Sequence, residues 1–172
     1  WATVLAVYAT LAQALTPRRH ASLLPYVAAV PSTTSAFFIA VMLFGDSPFA
    51  RLPFTPPDGR GLNPQLQNVG MVMHPPMLYL GYIGITIPFA FAMAGLLARR
   101  FDTGWLTAAR KWTLVSWLFL SVGIVLGMWW AYVELGWGGY WAWDPVENAS
   151  FLPWLVMTAF LHSVMIQEKR GM

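Results

Sequence analysis

Apolar residues run along this chain in long blocks rather than in alternation. Five blocks approach or exceed the roughly twenty residues that cross a bilayer: 1–15, 21–44, 75–98, 112–130 and 145–167. The first is a little short. Proline punctuates three of the others, with Pro25 and Pro31 near the start of the second, Pro88 inside the third and Pro153 inside the fifth. Each removes a backbone donor, and Pro88 predicts a kink. The third block would extend about 36 Å as a helix. The fourth carries Gly123 and Gly127, small residues four apart that let a second helix approach closely. The pattern predicts an all-α integral membrane protein. It would be a polytopic bundle of about five transmembrane helices, with residues 1–172 forming one membrane domain.

Composition supports this and charge adds orientation. The chain is 58% hydrophobic and 10% charged, which excludes an ordinary soluble domain. Arg18, Arg19, Arg99, Arg100, Arg110, Lys111, Lys169 and Arg170 supply eight of the ten basic residues and fall in alternate connections. By the positive-inside rule those connections are cytoplasmic. The external face then receives residues 45–74, where Asp46 and Asp58 offset Arg51 and Arg60. It also receives residues 131–144 and the first turn after them, with Glu134, Asp144, Glu147 and no basic residue. Nothing resembles a basic patch for nucleic acid. There is no cysteine, hence no disulfide or thiolate site. The chain opens at Trp1 inside an apolar run and stops just past a helix, which predicts an internal piece of a longer protein.

The candidate chemistry lies in the second external connection. Trp137, Tyr140, Trp141 and Trp143 alternate with Gly138, Gly139 and Ala142, a mixture of flat rings and near-absent side chains onto which a planar apolar ligand can lie. Asp144-Pro145-Val146-Glu147 reads as a helix start, with Asp144 as N-cap and Pro145 at the first helical position. The alternative is an interfacial aromatic belt that only anchors helices. Of the three histidines, His20 sits in a basic cytoplasmic loop and takes no role. His74 precedes Pro75-Pro76, which predicts an N-cap position at the external surface; its alternatives are a capping residue and a ligand. His162 falls about 27 Å along the last helix, inside the membrane, where ionisable groups are costly and mark a site or a partner. It shares helical spacing with Phe151, Leu155 and Thr158, and the alternative is a bond to a neighbouring helix. Met71, Met73 and Met77 are read as flexible packing.

WGGYWAWD, residues 137–144, resembles the tryptophan-rich "WWD" signature of the cytochrome c assembly proteins, which handle haem. Its continuation DPVENASFLPWL resembles the haem lyase (CcmF/NrfE) branch, as does GLNPQLQNVGMVMHPPMLYLGY around His74. The resemblance implies a role in cytochrome c maturation, with haem attached to the CxxCH thiols of an apocytochrome on the periplasmic face of a bacterial inner membrane. It implies that Trp137, Gly138, Gly139, Trp141, Trp143 and Asp144, within a segment spanning 131–148, hold a transient haem. His74 is then an axial ligand of that haem, and His162 one of two ligands of a permanent haem b within the membrane. A second external histidine is expected beyond the fifth helix, so the fragment alone should be inactive, and no separate catalytic residue is assigned. The implied partners are a haem chaperone, the apocytochrome with its thiol-handling subunit, a quinol as candidate reductant, and the bilayer. The rival readings are a WWD protein that loads haem onto the chaperone, a membrane transporter subunit, and a purely structural subunit.

Overall fold

The computed structural model describes residues 1–45, 47–59, 61–99 and 104–170. Asp46, Arg60 and Arg100, three of the charges used above for topology, lie outside them. The described chain is helical: α1 (Ala2–Leu15), α2 (Leu24–Phe44), α3 (Val69–Gly84), α4 (Thr86–Leu97), α5 (Gly104–Glu134) and α6 (Pro145–Arg170), with 3-10 turns at Arg18–Leu23 and Pro64–Leu66. Among the described residues, four stretches are long and apolar enough to cross a membrane: His20–Phe44, Val69–Leu97, Gly104–Glu134 and Pro145–Gln167. Ala2–Leu15 is a shorter apolar helix. The architecture is that of a multi-pass, all-α membrane protein.

The third crossing is two helices in sequence, α3 and α4, separated at Ile85. Pro88 accounts for the break, because its missing N–H would have bonded the Gly84 carbonyl four residues earlier. The crossing also begins six residues before the expected start at Pro75. Asn68 is its N-cap, accepting the Gly70 N–H at 2.7 Å, and its amide donates to Glu134 at the end of α5. His74 is therefore inside the helix and not at its cap, which corrects the sequence expectation. A capping side chain six residues upstream and the docking of this turn on α5 outweigh the local bias before proline.

Glycines hold α3 against α5. A Cβ on Gly81 would lie 2.3 Å from the Leu120 nitrogen, and one on Gly123 would lie 2.6 Å from the Leu78 nitrogen. Gly84 faces the Ser116 hydroxyl in the same way, and Gly127 faces the ring of His74. The pairs 74/127, 78/123, 81/120 and 84/116 rise on one helix as they fall on the other, so the helices are antiparallel with backbones in contact. In a bilayer this close packing, not exclusion of water, drives helix association. The small-residue pattern at Gly123 and Gly127 thus does what its spacing implies.

One cluster centres on α4, whose Ile87, Ala90, Phe91 and Ala94 are fully buried against Leu5, Tyr8 and Ala12 of α1, Val27 of α2 and Ala109 of α5. A second joins Leu120 and Ile124 of α5 to Met157 of α6. Polar side chains fasten that α5–α6 seam. The Trp117 indole donates to the Thr158 hydroxyl at 2.8 Å and the Trp154 indole donates to the Ser121 hydroxyl at 2.7 Å. The start of α3, the end of α5 and the start of α6 meet at one end of the bundle, and the tryptophan segment lies there.

Candidate functional site

The tryptophan segment is shaped by its own backbone and by the first turn of α6. Gly136 and Gly138 take left-handed conformations, with φ of +70° and +75°, and so does Trp143 at +60°. A non-glycine residue there stores about 1–3 kcal/mol of strain unless its surroundings hold it. They do. Asn148 donates to the Trp143 carbonyl at 3.0 Å, and Asp144 caps α6 by accepting the Glu147 N–H at 2.7 Å. The Glu147 carboxylate reaches back to the Ala142 N–H at 2.8 Å. An ordinary capping box would close on the cap residue itself; here it closes two residues earlier and clamps the strand of tryptophans.

The rings do not form one flat platform. Trp137 folds over Gly139, where an added Cβ would sit 2.0 Å from the indole Cζ3. Gly139 therefore makes room for Trp137 and not for a ligand, while Gly138 supplies the turn. Trp137 and Trp143 open outward, 46% and 67% exposed. Trp141 turns inward, at 83° to Trp143 and edge-on to Phe151. Its indole N–H is buried and bonds to nothing. Tyr140 stacks on Tyr132 of α5 at 4.4 Å.

Beneath Trp141 lies a cavity of about 140 Å³ whose lining includes His74, Gly127, Trp130, Trp141, Asp144 and Glu147. The imidazole of His74 is fixed on three sides. Its Nδ1 is 2.7 Å from the Gly123 carbonyl, its ring stacks on Trp130 at 6.5 Å and 9°, and its Cε1 lies over Gly127, where an added Cβ would come within 2.6 Å. A carbonyl can only accept, so Nδ1 carries a proton, and in the neutral imidazole the lone pair is then on Nε2. That is the tautomer of a metal-ligating histidine whose second nitrogen is held by backbone.

The structure thus gathers His74, Trp141 and Asp144 around one space, sets Trp143 edge-on to Trp141, and leaves Trp137, Gly138, Gly139 and His162 out of its lining. His162 is exposed, with Nδ1 2.8 Å from the Thr158 carbonyl one turn back, so its Nε2 is also the unprotonated nitrogen. Its expected stripe is divided. Thr158 faces α5 and bonds Trp117, Phe151 stacks on Trp154, and Leu155 looks outward. The stripe is an edge rather than a cleft, because the indole donors of the α5–α6 seam draw Thr158 inward. Among the described residues no three His, Cys, Asp or Glu side chains gather into a metal site. Trp130, Gly127 and the reach of Glu147 were missed from sequence. Only contact across α3 and α5 reveals the first two, and the Asp144–Glu147 spacing points to a capping box but not to a bond with Ala142.

A sequence model described as Cytochrome C assembly protein matches residues 1–172. The chain belongs to the cytochrome c assembly protein family. Among curated relatives, this cytochrome c assembly chain is 52% identical over 172 residues to the cytochrome c-type biogenesis protein CcmF of Pseudomonas aeruginosa, covering 99% of the chain and 26% of that protein. It is 53% identical over 146 residues to CcmF of Escherichia coli, covering 84% and 23%. It is also 53% identical over 134 residues to NrfE of Haemophilus influenzae, covering 78% and 21%. A solved structure described as cytochrome c heme lyase CcmF superposes with a TM-score of 0.80 at 43% identity, over 99% of this chain and 26% of that one. The chain spans about a quarter of the length of these relatives.

The cavity's donor set can be compared with what a haem needs. A porphyrin iron takes an imidazole nitrogen, which His74 offers. The orphaned Trp141 N–H, at a cost of about 1–3 kcal/mol while unpaired, would be satisfied by a carboxylate or carbonyl oxygen of a ligand. The volume is small beside the roughly 300–1,000 Å³ of pockets that enclose whole ligands. The groups present fit the iron and a polar edge of a macrocycle, not the whole of one.

Proposed function

We propose that this chain is the part of a cytochrome c haem lyase that holds haem at the outer face of a bacterial inner membrane, presented to the CxxCH thiols of an apocytochrome. The observation that carries this reading is His74, with Nε2 free and its ring clamped, lining one cavity with Trp141 and the Asp144 cap. In this reading residues 131–148 are the haem-handling segment. The haem is substrate, delivered by a chaperone and leaving on the cytochrome after its vinyl groups have been joined to thiols.

The chain's own residues bind and orient. His74 Nε2 ligates iron, and the Gly123 carbonyl and Trp130 prevent the imidazole from turning. Trp137 and Trp143 offer exposed rings to the porphyrin face. Asp144 and Glu147 are engaged by backbone N–H groups, so they serve as struts for the segment and not as acid–base groups. His162, facing outward with its Nδ1 held by the Thr158 carbonyl, would help hold a permanent haem b. Bound there with a quinol as reductant, such a group would supply electrons that keep the substrate iron reduced. The single imidazole at His162 fits as one of the residues that would hold it.

Optical spectra of the purified full-length protein, oxidised and dithionite-reduced, test the reading. Bands of a bis-histidine haem b that persist through purification are expected. A spectrum without haem, in protein shown to be folded and inserted, would contradict it.

A further inference from the structure

A second cavity lies at the opposite end of the bundle from His74. It measures about 400 Å³ and is formed where the end of α1, the turn after it and the early turns of α5 converge. Its lining divides by polarity. Lys111, His20 and Thr107 contribute polar groups, and Leu15, Trp112 and Val115 contribute apolar ones, with Val115 one turn further along α5 than Lys111. The division coincides with the edge of the apolar run in α5, which begins directly after Arg110-Lys111, so the cavity straddles the boundary between hydrocarbon and headgroups. None of its lining residues is acidic. Arg18 and Arg19 occupy the adjoining 3-10 turn, and Arg110 precedes Lys111. The Trp112 ring is braced edge-on by Tyr8 at 5.9 Å and 73°, which keeps the apolar wall in place.

We propose that this cavity binds an anionic phospholipid of the inner leaflet, its phosphate at Lys111 and an acyl chain along Trp112, Val115 and Leu15. Basic pockets between membrane helices on the positive-inside face suit such headgroups, each lysine or arginine adding attraction for negative lipid. The volume falls within the range of ligand pockets. Inorganic phosphate shares the headgroup's charge but would leave the apolar wall unused, and a neutral lipid would leave the lysine without a counter-charge. The ligand that uses both walls is a charged amphiphile.

The test uses delipidated full-length protein in detergent, titrated in native mass spectrometry with phosphatidylglycerol, with phosphatidylcholine of the same chains, and with inorganic phosphate. Phosphatidylglycerol should be retained about fivefold over phosphatidylcholine, the factor one basic residue is worth near an anionic surface. Lys111→Gln should erase that preference, and Lys169→Gln should leave it intact. Val115→Trp, which fills the apolar wall without altering charge, should lower retention of either lipid at this site. Equal retention of the two lipids by the unaltered protein would overturn the proposal. So would an unchanged preference in Lys111→Gln, or Lys111-dependent binding of phosphate alone as tight as that of lipid. Haem content reports folding throughout. If Lys111→Gln proves unfolded, Val115→Trp decides: retention equal to that of the unaltered protein would sink the site.

Discussion

Adding one methyl group at Gly127 probes the clamp on His74 without replacing any proposed ligand. The new Cβ would lie 2.6 Å from His74 Cε1, 2.9 Å from Nδ1 and 3.2 Å from Nε2, where ordinary contact begins at 3.4 Å. The imidazole, or the helix carrying it, must therefore yield by about 0.8 Å, the difference between 3.4 and 2.6 Å. Taken wholly away from the Gly123 carbonyl, that movement stretches the 2.7 Å bond to about 3.5 Å, beyond hydrogen-bonding distance. Overpacking of this kind costs about 1–3 kcal/mol, and the bond adds about 1 kcal/mol. At 1.4 kcal/mol per tenfold, haem ligation through His74 should weaken at least roughly tenfold. The assay is covalent haem in a reporter cytochrome, normalised to membrane-inserted protein, with Gly95→Ala as control. There the new Cβ meets only the Trp105 side chain, at 3.2 Å, far from the site. Equal maturation by Gly127→Ala and Gly95→Ala would refute the clamp.

Other outcomes follow from the same geometry. Single cysteines at Gly59 and Tyr140, where a side chain is open to solvent, should react with a membrane-impermeant thiol reagent in intact cells; one at Thr103, outside the described residues, should not, and the reverse pattern would invert the topology. Gly139 is unsuitable because its Cβ would strike Trp137. His162→Ala should remove most of the constitutive haem from the full-length protein, and an unchanged reduced spectrum would make His162 structural. Asp144→Asn keeps the cap on the Glu147 N–H and should mature cytochrome nearly normally, whereas Asp144→Ala should lose about 1 kcal/mol of local stability and impair it; equal loss in the two variants would give the Asp144 charge a role of its own.

Much of the fold was legible because a bilayer enforces simple rules. Apolar length located the helices, and Asp144-Pro145 marked the start of α6 to the residue. Pro88 foretold the break near Ile85, since a missing donor has a fixed address four residues away. The start of α3 was misplaced because Pro75-Pro76 is a loud local signal and Asn68 a quiet one. The cap that decides the matter is secured by Glu134, sixty-six residues away. The site divided in the same manner. Residue types at His74, Trp141 and Asp144 suggested their chemistry, but the pairing of Gly127 with the imidazole depends on the register of two antiparallel helices. The flat platform failed for a local reason: glycine beside tryptophan can admit the tryptophan's own ring as readily as a ligand, and at Gly139 it does.

The central claim is that His74 holds the haem being attached, separately from the haem at His162. It is tested most directly by His74→Ala in the full-length protein, measuring covalent haem in a reporter cytochrome and constitutive haem in the same membranes. The account predicts that maturation collapses while insertion and the constitutive haem remain. Maturation at the unaltered level, with His74→Ala fully inserted, would contradict it.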